Sequence, residues 1–254
     1  MNVSRREFQA IVLSLVAPLS WAQPPAPRSY VIASFVGDKI EYVGAGMQTG
    51  TRLDPNARHA VEDRGGSMDK AVLAAVAAGL AEADPKAPVA FALVPPSRLH
   101  ESPELMLQPD GVALPGAVVD LIEQRRATHV VLVTKYRADA SFHLKHETIG
   151  RGKLRGLGFY LDESQGLYDV DDTRAVGRGF MSPYVYVKLS LVDVATAKAV
   201  YEATVTGSEV VPIYASKTAA TPWEALSQEE KARRLESLIR NSVAAAAKLV
   251  ATAR

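Results

Sequence analysis

Tyr184-Val-Tyr-Val-Lys-Leu-Ser-Leu191 alternates strictly between two sets of side chains. Alternation with a period of two is typical of a strand that buries one face. A turn-forming segment over 193–198 follows, and then a second β-rich run, Ala199-Val-Tyr-Glu-Ala-Thr-Val-Thr206. The sequence therefore predicts an antiparallel pair of strands. One face of the first strand is expected to carry Val185, Val187, Leu189 and Leu191, and the other face Tyr184, Tyr186, Lys188 and Ser190.

The segment that joins these two strands resembles a hairpin of several bacterial envelope proteins. Residues 187–201 follow the pattern strand, Asp, small residue, Thr-Gly, Lys, strand, with Asp193 and Thr196 in place and Ala197 instead of the usual glycine. The pattern is seen in envelope-assembly proteins of the curli-secretion, penicillin-binding-protein-activator and TolB N-terminal type. The resemblance implies a layered α/β domain that acts by binding other envelope components.

Two further β-rich runs begin near residue 30. Tyr30-Val-Ile-Ala-Ser-Phe-Val36 and Lys39-Ile-Glu-Tyr-Val43 flank the turn residues Gly37-Asp38, so they predict a β-hairpin. The polar, glycine-rich stretch over 44–66 is interpreted as a long loop, with a further strand inside it as an alternative.

Helices and strands alternate over residues 67–133. Ser67 is a suitable N-cap for a helix from Met68 to Glu82, whose apolar residues recur every four positions. The runs over 88–94 and 129–133 predict buried strands, and a helix from Pro115 to Arg125 separates them. This order predicts parallel strands joined by a right-handed crossover.

A long amphipathic helix is predicted from Gln228 onward. Capping-box patterns at Thr221/Glu224 and Ser227/Glu230 mark two helix starts. Without an internal repeat or a domain boundary, residues 29–254 are expected to form a single α+β domain: one mixed, largely antiparallel sheet covered by two or three helices, with the long C-terminal helix packed on the sheet. The apolar stripe of that helix contains Leu235, Leu238, Ile239, Val243, Ala246, Leu249 and Val250, opposite Lys231, Arg234 and Arg240.

Residues 1–22 have the layout of a cleavable bacterial signal peptide: a basic segment, a short apolar run and a small-residue cleavage site that ends at Ala22. Ser4-Arg5-Arg6-Glu7-Phe8 resembles the twin-arginine export signal, which Arg5, Arg6 and Phe8 match, whereas the two residues after Phe8 depart from it. The general secretory route stays open as the alternative. Cleavage after Ala22 is expected to leave a proline-rich tether over 23–28.

The composition excludes several classes of function. The chain has 29 Lys and Arg against 28 Asp and Glu, and removal of residues 1–22 leaves equal numbers of both, so there is no electrostatic reason to expect nucleic acid as a partner. The absence of cysteine excludes disulfides, thiolate chemistry, cysteine zinc sites and a lipidated cysteine. We therefore expect a periplasmic or secreted protein with no membrane anchor after cleavage and no cofactor.

One glycine-rich segment has the residue types of a phosphate-binding loop. Gly150-Arg-Gly152-Lys-Leu-Arg-Gly156-Leu-Gly158 combines permissive backbone with the cations Arg151, Lys153 and Arg155. However, β-rich sequence follows where a phosphate-binding loop would continue into a helix. Bends in a curved sheet are the alternative explanation for the glycines.

Two clusters contain residue types that bind metals. The carboxylates of Asp162, Glu163, Asp169, Asp171 and Asp172 are close in sequence, but they lack the spacing of a known calcium loop, and a solvated connection is the alternative. His143 and His146, followed by Glu147, are three residues apart instead of the four of a zinc-binding helix, so a loop or hairpin is the alternative. We assign no metal ligand and no catalytic residue from the sequence.

These observations favour a non-catalytic periplasmic binding or accessory protein of the cell envelope, which contacts a protein partner through its sheet edge or loops. The alternative is a periplasmic enzyme, or a small-molecule or metal-binding protein, that uses the loops over 150–172. Whether the chain is an enzyme stays open, although no nucleophile motif is present. The oligomeric state is also left open.

Overall fold

The computed structural model describes residues 27–46, 56–108, 111–168, 176–215 and 219–253. The predicted signal peptide with Arg5, Arg6, Phe8 and Ala22, and also Asp169, Asp171 and Asp172, lie outside the described residues. The helices are α1 Ser67–Ala83, α2 Arg98–Glu101, α3 Gly116–Arg125 and α4 Gln228–Thr252. The strands are β1 Tyr30–Phe35, β2 Lys39–Gly44, β3 Ala57–Glu62, β4 Val89–Ala92, β5 Leu107–Gln108, β6 Gly111–Val112, β7 His129–Lys135, β8 Arg137–Asp139, β9 Phe142–His143, β10 Thr148–Ile149, β11 Lys153–Tyr168, β12 Val176–Asp193, β13 Lys198–Ser208 and β14 Val211–Pro212.

One mixed sheet connects most of the strands. Its order is β3-β2-β11-β12-β7-β1-β4, with β13 and β14 also paired to β12 and β8 paired to β11. The pairs β1–β4, β1–β7 and β2–β11 are parallel, and the other pairs of this sheet are antiparallel. Helices α1 and α4 cover one face and α3 packs on the other. The predicted α+β class, with a largely antiparallel sheet and a C-terminal helix on it, is confirmed.

The predicted hairpin of β1 and β2 is wrong, although both strands form. β1 pairs with β4 and β7, whereas β2 pairs with β11 and β3. All six residues of β1 are buried. A strand buried on both faces is a central strand and needs a neighbour on each side. Because the run Tyr30-Val-Ile-Ala-Ser-Phe35 is apolar except for Ser34, β1 lies in the buried, parallel part of the sheet, between β4 and β7.

The strands β12 and β13 pair as predicted, but β12 is buried on both faces instead of one. Tyr184 and Tyr186 are fully buried on the face expected to be solvated. They pack into a second cluster with Phe142, Tyr160 and Phe180, to which the segment between β8 and β11 contributes. The Tyr186 hydroxyl donates to the Asp139 carbonyl at 3.1 Å, which satisfies the phenol in the core.

The structure of the turn between β12 and β13 explains why Asp193 and Thr196 occur in it. Asp193 Oδ1 accepts hydrogen bonds from the backbone N–H and the hydroxyl of Thr196, both at 2.8 Å. Ala197 has a φ of 53°, which is the left-handed region that favours glycine. Glycine adopts this conformation at a lower cost than alanine, so the turn favours glycine where this chain has Ala197.

Helix α1 starts one residue away from the predicted cap. Gly66 is the N-cap, and Asp63 supplies the capping carboxylate instead of Ser67, since its Oδ2 accepts from the Met68 N–H at 2.8 Å. Strands β4 and β7 are parallel as predicted, but each pairs with β1, which lies between them. β4 is an edge strand and not a buried one, because Phe91 is 49% exposed.

Helix α4 begins with the predicted capping box of Ser227 and Glu230. At the other predicted box the Thr221 side chain makes no capping hydrogen bond, and a 3₁₀ turn over 222–225 forms instead. Most of the apolar stripe is buried, but Leu249 is exposed. Lys231 was expected on the polar face, yet it is buried with its ammonium 3.6 Å from the ring centroid of Trp223. No described helix is long and apolar enough to span a bilayer.

Candidate ligand-binding site

Three parallel strands end at the same edge of the sheet, and polar residues follow them there. β1 leads through Ser34 and Phe35 to Asp38, and β7 ends at Lys135. β4 ends at Ala92, and the first turn of α1 lies against the end of β1, where Asp69 Oδ1 accepts from the Gly37 N–H at 3.0 Å. Ligands of open sheets with parallel strands bind outside the carboxyl ends of those strands.

A buried ion pair joins two of these strand ends. Lys135 Nζ is 2.7 Å from Asp38 Oδ1, and the two side chains are 2% and 7% exposed. The Lys135 stem fits beside Gly156, where a Cβ atom would lie 3.3 Å from the lysine methylenes. Glu101 of α2 is 3.6 Å from Lys135 Nζ and 2.8 Å from Lys39 Nζ. The hydrogen bond from Lys39 is the main reason why the pKa of Glu101 is lowered.

His100 completes the cluster from α2. Its side chain is fully buried and packs edge-on against Phe35, with ring centroids 5.4 Å apart. Its Nδ1 accepts a hydrogen bond from the Ser97 N–H at 3.2 Å, so the neutral ring carries its proton on Nε2. Nε2 has no hydrogen-bond partner and is 4.0 Å from Asp69 Oδ2. Burial lowers the pKa of His100, although Asp38 and Asp69 oppose that shift.

Acidification is expected to destabilise the protein through His100. Because the imidazole in the unfolded chain has a pKa of about 6.5 and the folded one a lower value, the unfolded state binds more protons below neutral pH. The free energy of unfolding should therefore fall between pH 7 and pH 5 more steeply in the wild type than in His100→Asn, which keeps an acceptor for Ser97. Urea denaturation at several pH values measures this difference. The pKa of His129 is also lowered by burial, but His129 is present in both proteins. Parallel pH profiles would contradict the assignment.

A cavity of about 300 Å³ opens above the ends of β1 and β4. Its polar wall includes Asp38, Asp63 and Asp69, and Ser34 lies among its lining residues. Ser34 is only 2% exposed, and its hydroxyl has no hydrogen-bond partner. Leaving a buried hydroxyl unpaired costs about 1–3 kcal/mol, a cost that a bound water or a ligand would offset. The apolar wall contains Leu73, Ala92, Leu93, Val94, Pro95 and Pro96.

The segment with the residue types of a phosphate-binding loop forms backbone bends at the start of β11. Gly150, Gly152 and Gly156 have φ values of 129°, 73° and 70°, and β11 begins at Lys153, so the glycines form bends. Two of the three cations contact carboxylates of neighbouring elements, since Lys153 Nζ is 2.6 Å from Asp139 and Arg155 contacts Glu101. Arg151 is exposed. These cations do not converge on a described cavity.

Asp162 and His143, which belong to the two predicted metal clusters, make contacts within their own loops and hairpins. Asp162 is buried at a bulge in the β11–β12 pairing, where its Oδ1 accepts from the backbone of Ser164 at 2.8 Å and of Gln165 at 3.0 Å. His143 lies in the β9–β10 hairpin and contacts Thr148, while His146 is an exposed turn residue. The structure does not bring the two histidines into one site with Asp162. Within the described ranges, no group of three or more His, Asp or Glu side chains could hold a metal ion.

The sequence interpretation missed the residues that the structure brings together. Asp38 and Lys135 each stand at or just after the end of a buried β run, and that position was the available signal. Ser34 is a polar residue inside an apolar run, which also distinguishes it. His100 belongs to a one-turn helix, where it forms a capping box with Ser97 in place of the usual Glu or Gln.

No protein-family model matches the chain, and no curated protein gives a significant match. Among solved structures, the chain is similar to PelC dodecamers from Paraburkholderia phytofirmans. One, a leucine-to-methionine variant, is 14% identical over 88% of this chain and 89% of that chain, with a TM-score of 0.32. A second is 15% identical over 86% of each chain, with a TM-score of 0.30. These TM-scores are too low to establish a common fold.

Proposed function

We propose that this chain is an exported, non-catalytic binding protein of the bacterial cell envelope, and that it binds its ligand in the cavity at the carboxyl ends of β1 and β4. One observation carries the proposal: the cavity lies at the carboxyl ends of the parallel strands β1 and β4, where open sheets with parallel strands bind their ligands. Ser34, whose buried hydroxyl has no hydrogen-bond partner, is among the residues that line it. Export and an envelope role are supported by the residue pattern of the signal peptide and by the hairpin resemblance over 187–201.

The surroundings of Ser34 favour binding over catalysis. A serine nucleophile needs a general base within hydrogen-bond distance. The Ser34 hydroxyl has no such contact, and the nearby Lys135 ammonium is engaged by Asp38. The His100 ring uses Nδ1 as an acceptor for Ser97, which leaves only its N–H on the side of Asp69. The alternative site over 150–172 has no comparable supporting observation among its described residues.

Filling the cavity is expected to abolish binding. The chain purified from the periplasmic fraction, with Gln23 expected as its first residue, is immobilised and exposed to envelope extract. In Ser34→Leu the larger side chain occupies the cavity floor, so an envelope component retained by the wild type should be retained at least about tenfold less. Quantitative mass spectrometry of the eluates measures the ratio.

Two further variants make this experiment decisive. Ser237→Leu introduces the same change on the exposed face of α4 and should retain the component as the wild type does. Leu93→Arg alters the cavity rim, where the side chain is 67% exposed, and should lose the component without disturbing the core. Equal retention by the wild type, Ser34→Leu and Leu93→Arg would refute the site.

A further inference from the structure

The strand β4 lies at one end of the sheet and has a free edge. Among the described residues it pairs only with β1, to which it runs parallel. Tyr30 lies opposite Val89, and the Tyr30 N–H donates to the Pro88 carbonyl at 2.8 Å. In a parallel pair, both backbone groups of every second residue point to the same neighbour. The even-numbered residues of β4 therefore point to β1, whereas the N–H and C=O groups of the odd-numbered ones point away from the sheet.

The side chains along this edge are apolar and exposed. Val89 packs against the core beneath α1, and Phe91 and Leu93 follow it on the same side of the sheet, because side chains alternate along a strand. Phe91 is 49% exposed and Leu93 67%. The run from Val89 to Pro96 contains no charged residue. Backbone groups without a partner strand and exposed apolar side chains therefore occur together on β4.

The other two long edges of the sheet carry features that discourage pairing. β3 contains Arg58 and Glu62. β13 contains Lys198 and Glu202, and the extra residue Val200 forms a bulge in its pairing with β12. Charged side chains and bulges on edge strands hinder association with a further strand. β4 has neither a charge nor a bulge, so it is the edge best suited to accept one.

We propose that β4 is a self-association surface, on which the β4 strand of a second copy of this chain pairs antiparallel about a two-fold axis at Phe91. The outward-pointing residues Val89, Phe91 and Leu93 are evenly spaced around that axis. Val89 of each copy then meets Leu93 of the other, and the two Phe91 residues meet each other. Two identical strands fit because every facing pair is apolar and no like charges are opposed.

This surface is separate from the ligand cavity, although Leu93 borders both. Pro88 and Pro95 lie at the two ends of the paired run and have no backbone N–H to donate. The run between them is therefore the whole extent of the strand pairing. Self-association goes beyond the proposed binding function and does not depend on the ligand.

The mass of the protein in solution tests the proposal. Light scattering after size exclusion is applied to residues 23–254 over a range of concentrations, and the wild type is expected to reach the mass of a dimer. In Phe91→Lys, two like charges meet at the axis, so the dissociation constant should rise at least about tenfold. Val61→Lys makes a similar change on β3, where Val61 is 45% exposed, and should dimerise as the wild type does. Both side chains are about half exposed, so neither variant should disturb the core.

A single cysteine reports the position of the axis, since the chain has none of its own. Opposite Cα atoms of a hydrogen-bonded antiparallel pair are about 5.5 Å apart, a distance that a disulfide spans. Phe91→Cys should therefore form a disulfide-linked dimer on mild oxidation. Val89→Cys is the matched control and should stay monomeric on denaturing gels, because its two copies would be about 14 Å apart.

Several results would overturn the proposal. A wild type that is monomeric at every concentration, or a dimer that survives Phe91→Lys, would exclude β4 as the self-association surface. Equal cross-linking of Phe91→Cys and Val89→Cys would exclude the axis at Phe91. If the wild type is monomeric and the Phe91 amide becomes protected from hydrogen exchange only in envelope extract, the edge accepts a strand of another protein instead of a second copy.

Discussion

Lys135→Met is expected to lower the free energy of unfolding by about 3–5 kcal/mol, because it leaves the Asp38 carboxylate buried without its partner. The Lys135 and Asp38 side chains are 2% and 7% exposed, so water replaces the lost ammonium only poorly. Methionine fills nearly the same volume along Gly156, which separates the loss of charge from the loss of packing. Urea denaturation at pH 7 measures the change, provided that the slope of the transition is unchanged.

Two variants control this experiment. In the Lys135→Met background, Asp38→Asn removes the unpaired charge and should restore most of the lost free energy. Lys39→Met removes a lysine whose ion pair with Glu101 is exposed, at 38% and 44%, and should cost less than about 1 kcal/mol. Equal losses in the free energy of unfolding for Lys135→Met and Lys39→Met would show that the buried ion pair stabilises the protein no more than the exposed one.

Gly79→Ala is expected to destabilise the protein by about 1–3 kcal/mol, even though alanine is the better helix former. Gly79 lies where α1 crosses α4, and a Cβ atom there would be 2.7 Å from the Ala247 Cβ and would also meet the Ala244 carbonyl. The contact involves backbone and a methyl group, so no flexible side chain can move aside. The two helices would have to separate, which loosens the core between them and the sheet. Urea denaturation measures the loss.

The neighbouring residue provides a control with the reverse substitution. Ala78 is exposed on the same helix, and Ala78→Gly should lose about 1 kcal/mol through helix propensity alone. Alanine is therefore preferred at 78 and glycine at 79. A gain in stability for Gly79→Ala would show that the helices are not in close contact at this crossing.

Local patterns predicted local structure well. The alternation of 184–191, the turn at Asp193 and the capping box at Ser227 each depend on residues close in sequence, and each element formed where expected. Strand partners depend on residues far apart. The hairpin of β1 and β2 failed for that reason, since β1 completes its pairing with β4 and β7, which lie about 60 and 100 residues later.

The candidate site could not be predicted for the same reason. Ser34, Asp38, His100 and Lys135 come from separate elements and share no motif, and only the sheet order brings them to one edge. By contrast, the motif-like segment over 150–158 reflects backbone requirements, because its glycines permit bends just before β11 and within it. Asp162 likewise stabilises a bulge. Residue types typical of ligand binding are also those that stabilise irregular backbone.

The position of β12 also sets the order of events during synthesis. β12 is the strand that joins the group β7-β1-β4 to the group β11-β2-β3, and it leaves the ribosome after all of them. α4, which closes the core over α1, follows β12 in the chain. The nascent chain therefore cannot complete this sheet until β12 has left the ribosome, and the core between the sheet, α1 and α4 closes later still. Slow, non-local assembly leaves the newly made chain unfolded for a time.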